Sequence, residues 1–331
     1  SHTLFPSCDC VLVLYISRGC LVLSRMSLSW YTIPRPPRSP LFPYPTLFRS
    51  LYVSGPPVGI VGGHCSDNNL LPAEYGLSGE GVATGPWEMR AKVRQNIKYG
   101  VDLIKTCSTG GVLSKGTALG AAQGTIEELT AIVEEAHARG LKVASHAHGT
   151  VGIRNAILAG VDTVEHSSIL DDDTIALAKE RGTYLSMDIY NTEYILSEGA
   201  KNGLLEESLA KERSISSRQR KSFSDAVAAG AMVVFGSDAG VYPHGLNGNQ
   251  FSRMVTFGMT PMQALQAGTS LAAEALGKTG ELGCADAGCM ADFVAVSQNP
   301  LDNMERLANV EFVMKEGVTY KKDGVATGGA L

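Results

Sequence analysis

Tryptophan is scarce in this 331-residue chain, with two copies, and charged residues make up only 18% of it. Positive charge is in deficit: the formal net charge is -5. Proteins whose business is nucleic acid neutralise phosphates with clustered Lys and Arg, so the charge argues against that class. No apolar run reaches the roughly 18 residues a membrane helix needs, because Arg18 and Arg25 divide the best stretch. No Gly-x-Gly-x-x-Gly and no Walker-type lysine loop follows an expected strand, which disfavours a nucleotide-binding α/β protein. Three of the seven cysteines lie in residues 1–50 and the other four, Cys65, Cys107, Cys284 and Cys289, show no paired spacing, so no disulfide framework is expected and the redox compartment stays open. A hydrophobic content of 44% excludes wholesale disorder and leaves small-molecule or metal-dependent chemistry in play.

A second set of absences is local. Residues 1–50 contain no Ala, Lys or Glu, yet hold seven of the fourteen prolines and three of the cysteines. Five Arg against Asp9 make that segment +4, whereas the other 281 residues set 23 Lys and Arg against 32 Asp and Glu. The apolar run 11–16 is cut by Arg18 and no Ala-x-Ala site follows, which disfavours a signal peptide. Prolines in 33–45 recur too often for a helix interior or a central strand, so extended chain is expected there. Residues 41–50 (LFPYPTLFRS) resemble translated sequencing-adapter DNA. The expectation is that 1–50 is not native coding sequence, with a divergent leader or Pro-rich linker as the alternative.

From residue 51 onward, short β-rich runs alternate with helical patterns of about 10 to 15 residues, the signature of repeated βα units around a parallel sheet. Strands are expected at 51–60, 101–105, 141–146, 161–166, 183–189 and 231–235. Helices are expected at 89–99, from Thr125 to a stop at Gly140, at 151–159, at 173–181, at about 206–229 and after Thr260, where Pro261 suits a first turn. Thr125 and Glu128 form a capping box, and Ile126, Leu129, Ile132, Val133 and Ala136 then share one face. Gly160 and Gly182 stand where left-handed C-caps are wanted. After residue 280 the pattern changes to short runs at 292–297 and 310–320 with a turn at Gly317, read as antiparallel strands of a separate small β element. The division is thus 1–50, a six-unit α/β region at 51–280, and C-terminal strands at 281–331.

Lys105, His146, His148, His166 and Asp238 all fall at or just beyond the C-terminal ends of expected strands. In a barrel of βα units that face holds the active site. One such His is usually structural, but imidazoles from successive strands together with carboxylate oxygens suit zinc and similar divalent ions. Lys105 cannot ligate as an ammonium; it is either a surface residue or, after adding carbon dioxide, an anionic carbamate able to bridge two metals. Asp238 lies between Gly236 and Gly240, where backbone can approach a ligand closely, and a turn or cap role is the competing explanation. His64 and His244 sit on expected mouth loops, and His137, mid-helix among charges, is read as solvated.

These residues carry a resemblance. Segments 96–114 (NIKYGVDLIKTCSTGGVLS), 144–149 (ASHAHG), 159–166 (AGVDTVEH), 186–195 (SMDIYNTEYI) and 235–244 (FGSDAGVYPH) are similar, in that order, to motifs of the metal-dependent amidohydrolase superfamily. The branch they resemble is that of imidazolonepropionase-like and Xaa-Pro dipeptidase-like (prolidase) enzymes. The resemblance implies a distorted (β/α)8 TIM-type barrel with a small β-sandwich made from both chain ends. It implies a binuclear divalent-metal centre, zinc by preference, that hydrolyses a carbon-nitrogen bond. Lys105 would be the carbamylated bridge, His146 and His166 ligands, and Asp238 a ligand and proton shuttle. His146 is preferred to His148 because it matches the first His of the motif; His148, Tyr190, His64 and His244 would contact substrate. Proline dipeptides, N-acyl amino acids and lactams all suit the chemistry, and self-association is left open.

Departures from the pattern bear on activity. No His-x-His pair precedes Lys105, and only His2 and His64 come before it. The expectation is an incomplete barrel of about six βα units, N-terminally truncated, with one metal half-site impaired. Cys289 stands where the family has a turn Lys, and Leu246 where it often has an acid. Two readings follow: an amidohydrolase sampled as a shortened chain, or an inactive fragment that at most binds.

Overall fold

The structure, a computed structural model, describes residues 51–65 and 79–327. The expectations about 1–50 lie outside the described residues. Helix capping governs much of the local architecture. Helix α1 (Gly85–Lys98) starts with Pro86 in its first turn, and α2 (Ile126–His137) starts from the capping box, with the Thr125 hydroxyl accepting from the Glu128 N–H and the Glu128 carboxylate from the Thr125 N–H. Helices α3 (Thr150–Ala159) and α4 (Asp172–Arg181) end at Gly160 and Gly182, whose φ of 95° and 67° few side-chain-bearing residues adopt.

Between these helices run the strands of a five-stranded sheet. The strands β3 (Leu103–Cys107), β4 (Lys142–Ala147), β5 (Thr163–His166), β6 (Tyr184–Met187) and β7 (Val233–Phe235) pair in chain order and in parallel. Sequential order with helical crossovers is the βα repeat that the alternating pattern predicts. The strands are buried on both faces. One face turns Ile104, Val143, Val164, Leu185 and Val233 toward Leu129, Ile132 and Val133 of α2, Ile153 and Ile157 of α3, Ile175 of α4, and Phe223 of α6 (Glu206–Ala228). The opposite face carries Lys105, Cys107 and His146, as the alternation of strand side chains requires.

Three expectations are corrected here. The strand expected over 51–60 is reduced to β1 (Gly59–Ile60), paired in parallel with β2 (Val82–Ala83), plus a single bridge from Val58 to Thr106. Pro56 and Pro57 have no N–H to give a ladder, and the first useful donor is Val58, which bonds the Lys105 carbonyl at 2.8 Å. Further helices stand where no helix was expected: α5 (Ile189–Glu198), α7 (Asn249–Thr256) and α9 (Ser270–Ala275), the last following α8 (Pro261–Ala267). The cysteines of the described residues also pair, Cys65 with Cys107 and Cys284 with Cys289, at Cα separations of 5.6 and 6.1 Å. The first pair joins residues 42 apart, which spacing along the chain cannot reveal.

The C-terminal strands form the expected separate antiparallel element: β8 (Phe293–Ala295), β9 (Phe312–Lys315), β10 (Val318–Lys322) and β11 (Val325–Ala326), in the order β11-β10-β9-β8. Among the described residues this sheet draws strands from the C-terminal segment alone. No helix among them is long and apolar enough to cross a membrane.

Candidate metal centre at the strand ends

The C-terminal ends of the parallel strands gather a set of ionisable side chains, and a loop adds His64 to them. Lys105 comes from β3, His146 from β4, His148 from just beyond it, His166 from the last position of β5 and Asp238 from the loop after β7. The His146 ring centroid lies 4.7 Å from that of His148 and 4.6 Å from that of His166. The ligand atoms of these three histidines fall within 4.8 Å of one another. His64, from the loop after β1, stacks on His146 at 4.0 Å and is 3% exposed, so it lies against the cluster rather than at an open mouth. Gly111 makes room for it: a Cβ there would come within 2.3 Å of the His64 ring.

Backbone strain concentrates at the same place. Among the described non-glycine residues only five have positive φ, and three of them are His166 (67°), Ser167 (46°) and Asp238 (49°). Left-handed backbone at such residues persists where the surroundings over-determine it, and it clusters at functional sites. At His166 the effect can be traced. Its register partner Ala147 and its neighbour Val164 belong to the helix-side core, so strict alternation would send His166 there too. The positive φ breaks the alternation and the ring joins His146.

Burial sets the protonation states. Loss of solvent, then the charges of neighbouring groups, hold His146 and His148 well below the ordinary imidazole value. Burial, then His166, Lys105 and Lys211, bring His64 down to about 3. His166 goes the other way: burial lowers it, but the charge and hydrogen bond of Asp188 with the charge of Asp238 carry it up to about 9. Desolvation also pushes the Asp238 carboxyl up, against the pull of His166 and Lys105. Lys105 is 1% exposed, and its charge acts on His64, His146, His166 and Asp238 alike.

This donor set fits a divalent ion. His146 is buried with neither ring nitrogen hydrogen-bonded, and a buried polar group without a partner calls for an explanation such as a metal. His148 donates or accepts through Nδ1 to the Ser168 hydroxyl at 2.8 Å, and the His166 Nδ1 meets Asp188 Oδ1 at 2.9 Å. Both hydrogen bonds leave Nε2 for a ligand, the arrangement by which a second partner orients a metal-binding imidazole. A second three-ligand group, His166, Asp188 and Asp238, shares His166 with the histidine trio. Asp188 was missed in the sequence, although it follows β6 directly and the strand-end rule that selects the others applies to it.

The remaining expectations resolve as follows. Tyr190 lies in the first turn of α5 and packs edge-on to Tyr242 with ring centroids 5.1 Å apart. Burial first, then Asp238 and Asp188, push the Tyr242 hydroxyl up, so these tyrosines wall the carboxylate side of the site. His244 is half-buried on the loop after Asp238. His137 is not merely solvated: its Nε2 meets Asp162 Oδ2 at 2.8 Å, and Lys142 binds the same carboxylate.

A parallel sheet with a histidine and carboxylate cluster at its strand ends defines a class, and the sequence agrees: the chain belongs to the amidohydrolase family, whose pattern matches residues 58–320. It is 33% identical over 279 residues to an ochratoxinase of Aspergillus niger, covering 82% of this chain and 57% of the ochratoxinase. The chain thus spans little more than half the length of that curated relative. Its fold matches the crystal structure of a Xaa-Pro dipeptidase with methionine bound in the active site, at a TM-score of 0.77 and 36% identity, covering 82% of this chain and 68% of the dipeptidase. A prolidase complexed with N-methylphosphonate-L-proline matches at a TM-score of 0.73 and 29% identity, covering 82% and 69%.

Proposed function

We propose that this chain carries the catalytic centre of a metal-dependent hydrolase that cleaves a carbon-nitrogen bond in a small amide or Xaa-Pro dipeptide-like substrate. The observation that carries the reading is the convergence of Lys105, His146, His166 and Asp238 with a buried, unpartnered His146 at the ends of one parallel sheet. An ion bound there, zinc on the strength of the imidazole-rich donor set, supplies Lewis acidity, bringing the pKa of water toward neutrality and polarising a carbonyl.

The chain's own residues do the rest. His146 would hold the ion as a neutral imidazole and His166 by giving up the proton that Asp188 stabilises on it, with His148 close enough to join them. Lys105 would serve as a carbamate: the ammonium gives up one proton, the free amine bonds the carbon of carbon dioxide as one C=O π bond opens onto oxygen, and a second proton leaves the nitrogen, so that a buried cation becomes an anion able to ligate a divalent ion. Asp238 takes a proton from the attacking water and delivers it to the leaving nitrogen. Its raised carboxyl suits that exchange near neutral pH. His64, His148, Tyr190 and His244 would contact the substrate.

The test is turnover of a panel of Xaa-Pro dipeptides, N-acyl amino acids and lactams with zinc supplied. Asp238→Asn keeps the shape and removes the proton carrier, so hydrolysis should fall by about 10²- to 10⁴-fold with the fold intact. Undiminished turnover in that variant would refute the role given to Asp238.

A further inference from the structure

Asp188 occupies the N-cap of α5, where an Asp side chain ordinarily accepts from a backbone N–H of the first turn, yet it makes no such bond. Its carboxylate is diverted. Oδ1 faces the His166 Nδ1 at 2.9 Å, and Oδ2 accepts from the Asn191 carboxamide. The same Asn191 nitrogen donates to Asp238 Oδ2 at 3.0 Å. His166, Asp188, Asn191 and Asp238 therefore form one continuous chain of hydrogen bonds across the candidate centre. The amide orientation follows from the chemistry, since both neighbours are carboxylate oxygens and only the NH2 side of Asn191 can satisfy them.

The corner that holds this chain is immobilised from two other helices. Gln250 of α7, fully buried, accepts from the Ile189 and Tyr190 N–H groups at 3.0 and 2.8 Å and donates to the Met187 carbonyl at 2.7 Å. Gln219 of α6, also buried, donates to the Asp188 carbonyl at 3.2 Å. Side chains thus grip the backbone on both sides of Asp188, and Asn191, three residues on, is buried with it.

We infer that Asn191 is a positioning residue: its amide holds Asp238 Oδ2 and couples Asp238 to His166 through Asp188. The inference rests on the proposed metal-dependent hydrolysis and deepens it. An acid at this position would supply a third anion and no donor, and an alkyl group would leave two carboxylates adjacent without a bridge. Nothing in the helix period of α5 demands an amide here.

The variants are Asn191→Leu and the isosteric Asn191→Asp, each first checked for parental far-ultraviolet dichroism and thermal midpoint. Zinc affinity is read by competition with a chromogenic chelator, and kcat and KM with a substrate the parent hydrolyses. For Asn191→Leu, zinc affinity should fall by about 10-fold or more, as it does when a partner behind a ligand is lost. In both variants kcat should fall by about 10- to 100-fold while KM moves less than about threefold, the split expected of a group that acts in the transition state. A metal-free crystal structure of Asn191→Leu should show the Asp238 carboxylate turned to a new rotamer. If it stays within about 0.5 Å of its parental place, or if zinc affinity and kcat stay within about twofold, the inference is overturned. The crystallographic arm needs neither metal nor turnover. A parent that binds no zinc and hydrolyses nothing would sink the metal-dependent reading, while that arm still decides whether Asn191 positions Asp238.

Discussion

Three neutral imidazoles packed ring against ring make the folded protein sensitive to acid. The unfolded chain protonates His64, His146 and His148 near the ordinary value of 6.5, whereas the fold holds His64 at about 3 and the other two well below that ordinary value. The unfolded state therefore binds more protons as pH falls, and stability rises with pH in this window. The His64 contribution is fully present above about pH 6.5 and is lost as pH falls toward about 3, at up to about 1.4 kcal/mol per pH unit, and His146 and His148 act in the same direction. Thermal melts of the metal-free protein should show a midpoint that declines steadily below pH 6.5. His64→Gln should flatten that decline; an unchanged slope would place His64 in water. At this scale the sequence was legible where position along a strand carried the information, as for Lys105, His146, His148, His166 and Asp238. Asp188 and Asn191 were not: Asp188 fell inside the strand expected over 183–189, and the helix that carries Asn191 was not expected. Only the hydrogen bonds that divert them reveal their role.

Between elements, the contact with most bearing on the site is the link from the β1 loop to β3. Cys65 follows His64 directly, and Cys107 stands two residues after Lys105 on the same face of its strand. The disulfide thus ties the loop carrying His64 to the strand carrying Lys105. Closing a span of 42 residues limits the unfolded chain by about 4 kcal/mol on the entropic model. Cys65→Ser should lower stability by up to about that amount in denaturant titrations and open His64 to acylation by diethyl pyrocarbonate, mapped by mass spectrometry. Equal stability and a still-protected His64 would mean that packing against Gly111 and the His64 N–H donation to Gln123 Oε1 hold the loop without the disulfide. Helix starts were legible from Thr125, Thr260 and Pro261 because caps are local chemistry. The strand over 51–60 was overextended because hydrophobic content outweighed two prolines. Helices α5 and α7 stayed hidden because they bury Asn191, Thr192 and Gln250, polar residues that blur an apolar stripe.

The whole molecule places one set of strand ends against one cluster, and this is where fold and chemistry meet. The parallel order β3 to β7 brings residues as far apart as Lys105 and Asp238 together, and all of these strands lie within residues 58–320, which the family pattern covers. The α/β class and the antiparallel C-terminal element were legible from periodicity alone. The pairing of distant cysteines and the left-handed turn of His166 were not, since both depend on contacts that exist only once the sheet has formed. The central claim is that the histidines at the strand ends hold a divalent ion. Calorimetric titration of the metal-free protein with zinc, run beside His146→Ala, tests it most directly. The account predicts at least one tight site in the parent that His146→Ala weakens by about 100-fold or more, consistent with loss of a direct ligand. No zinc binding by the parent, or the same affinity in both proteins, would contradict it.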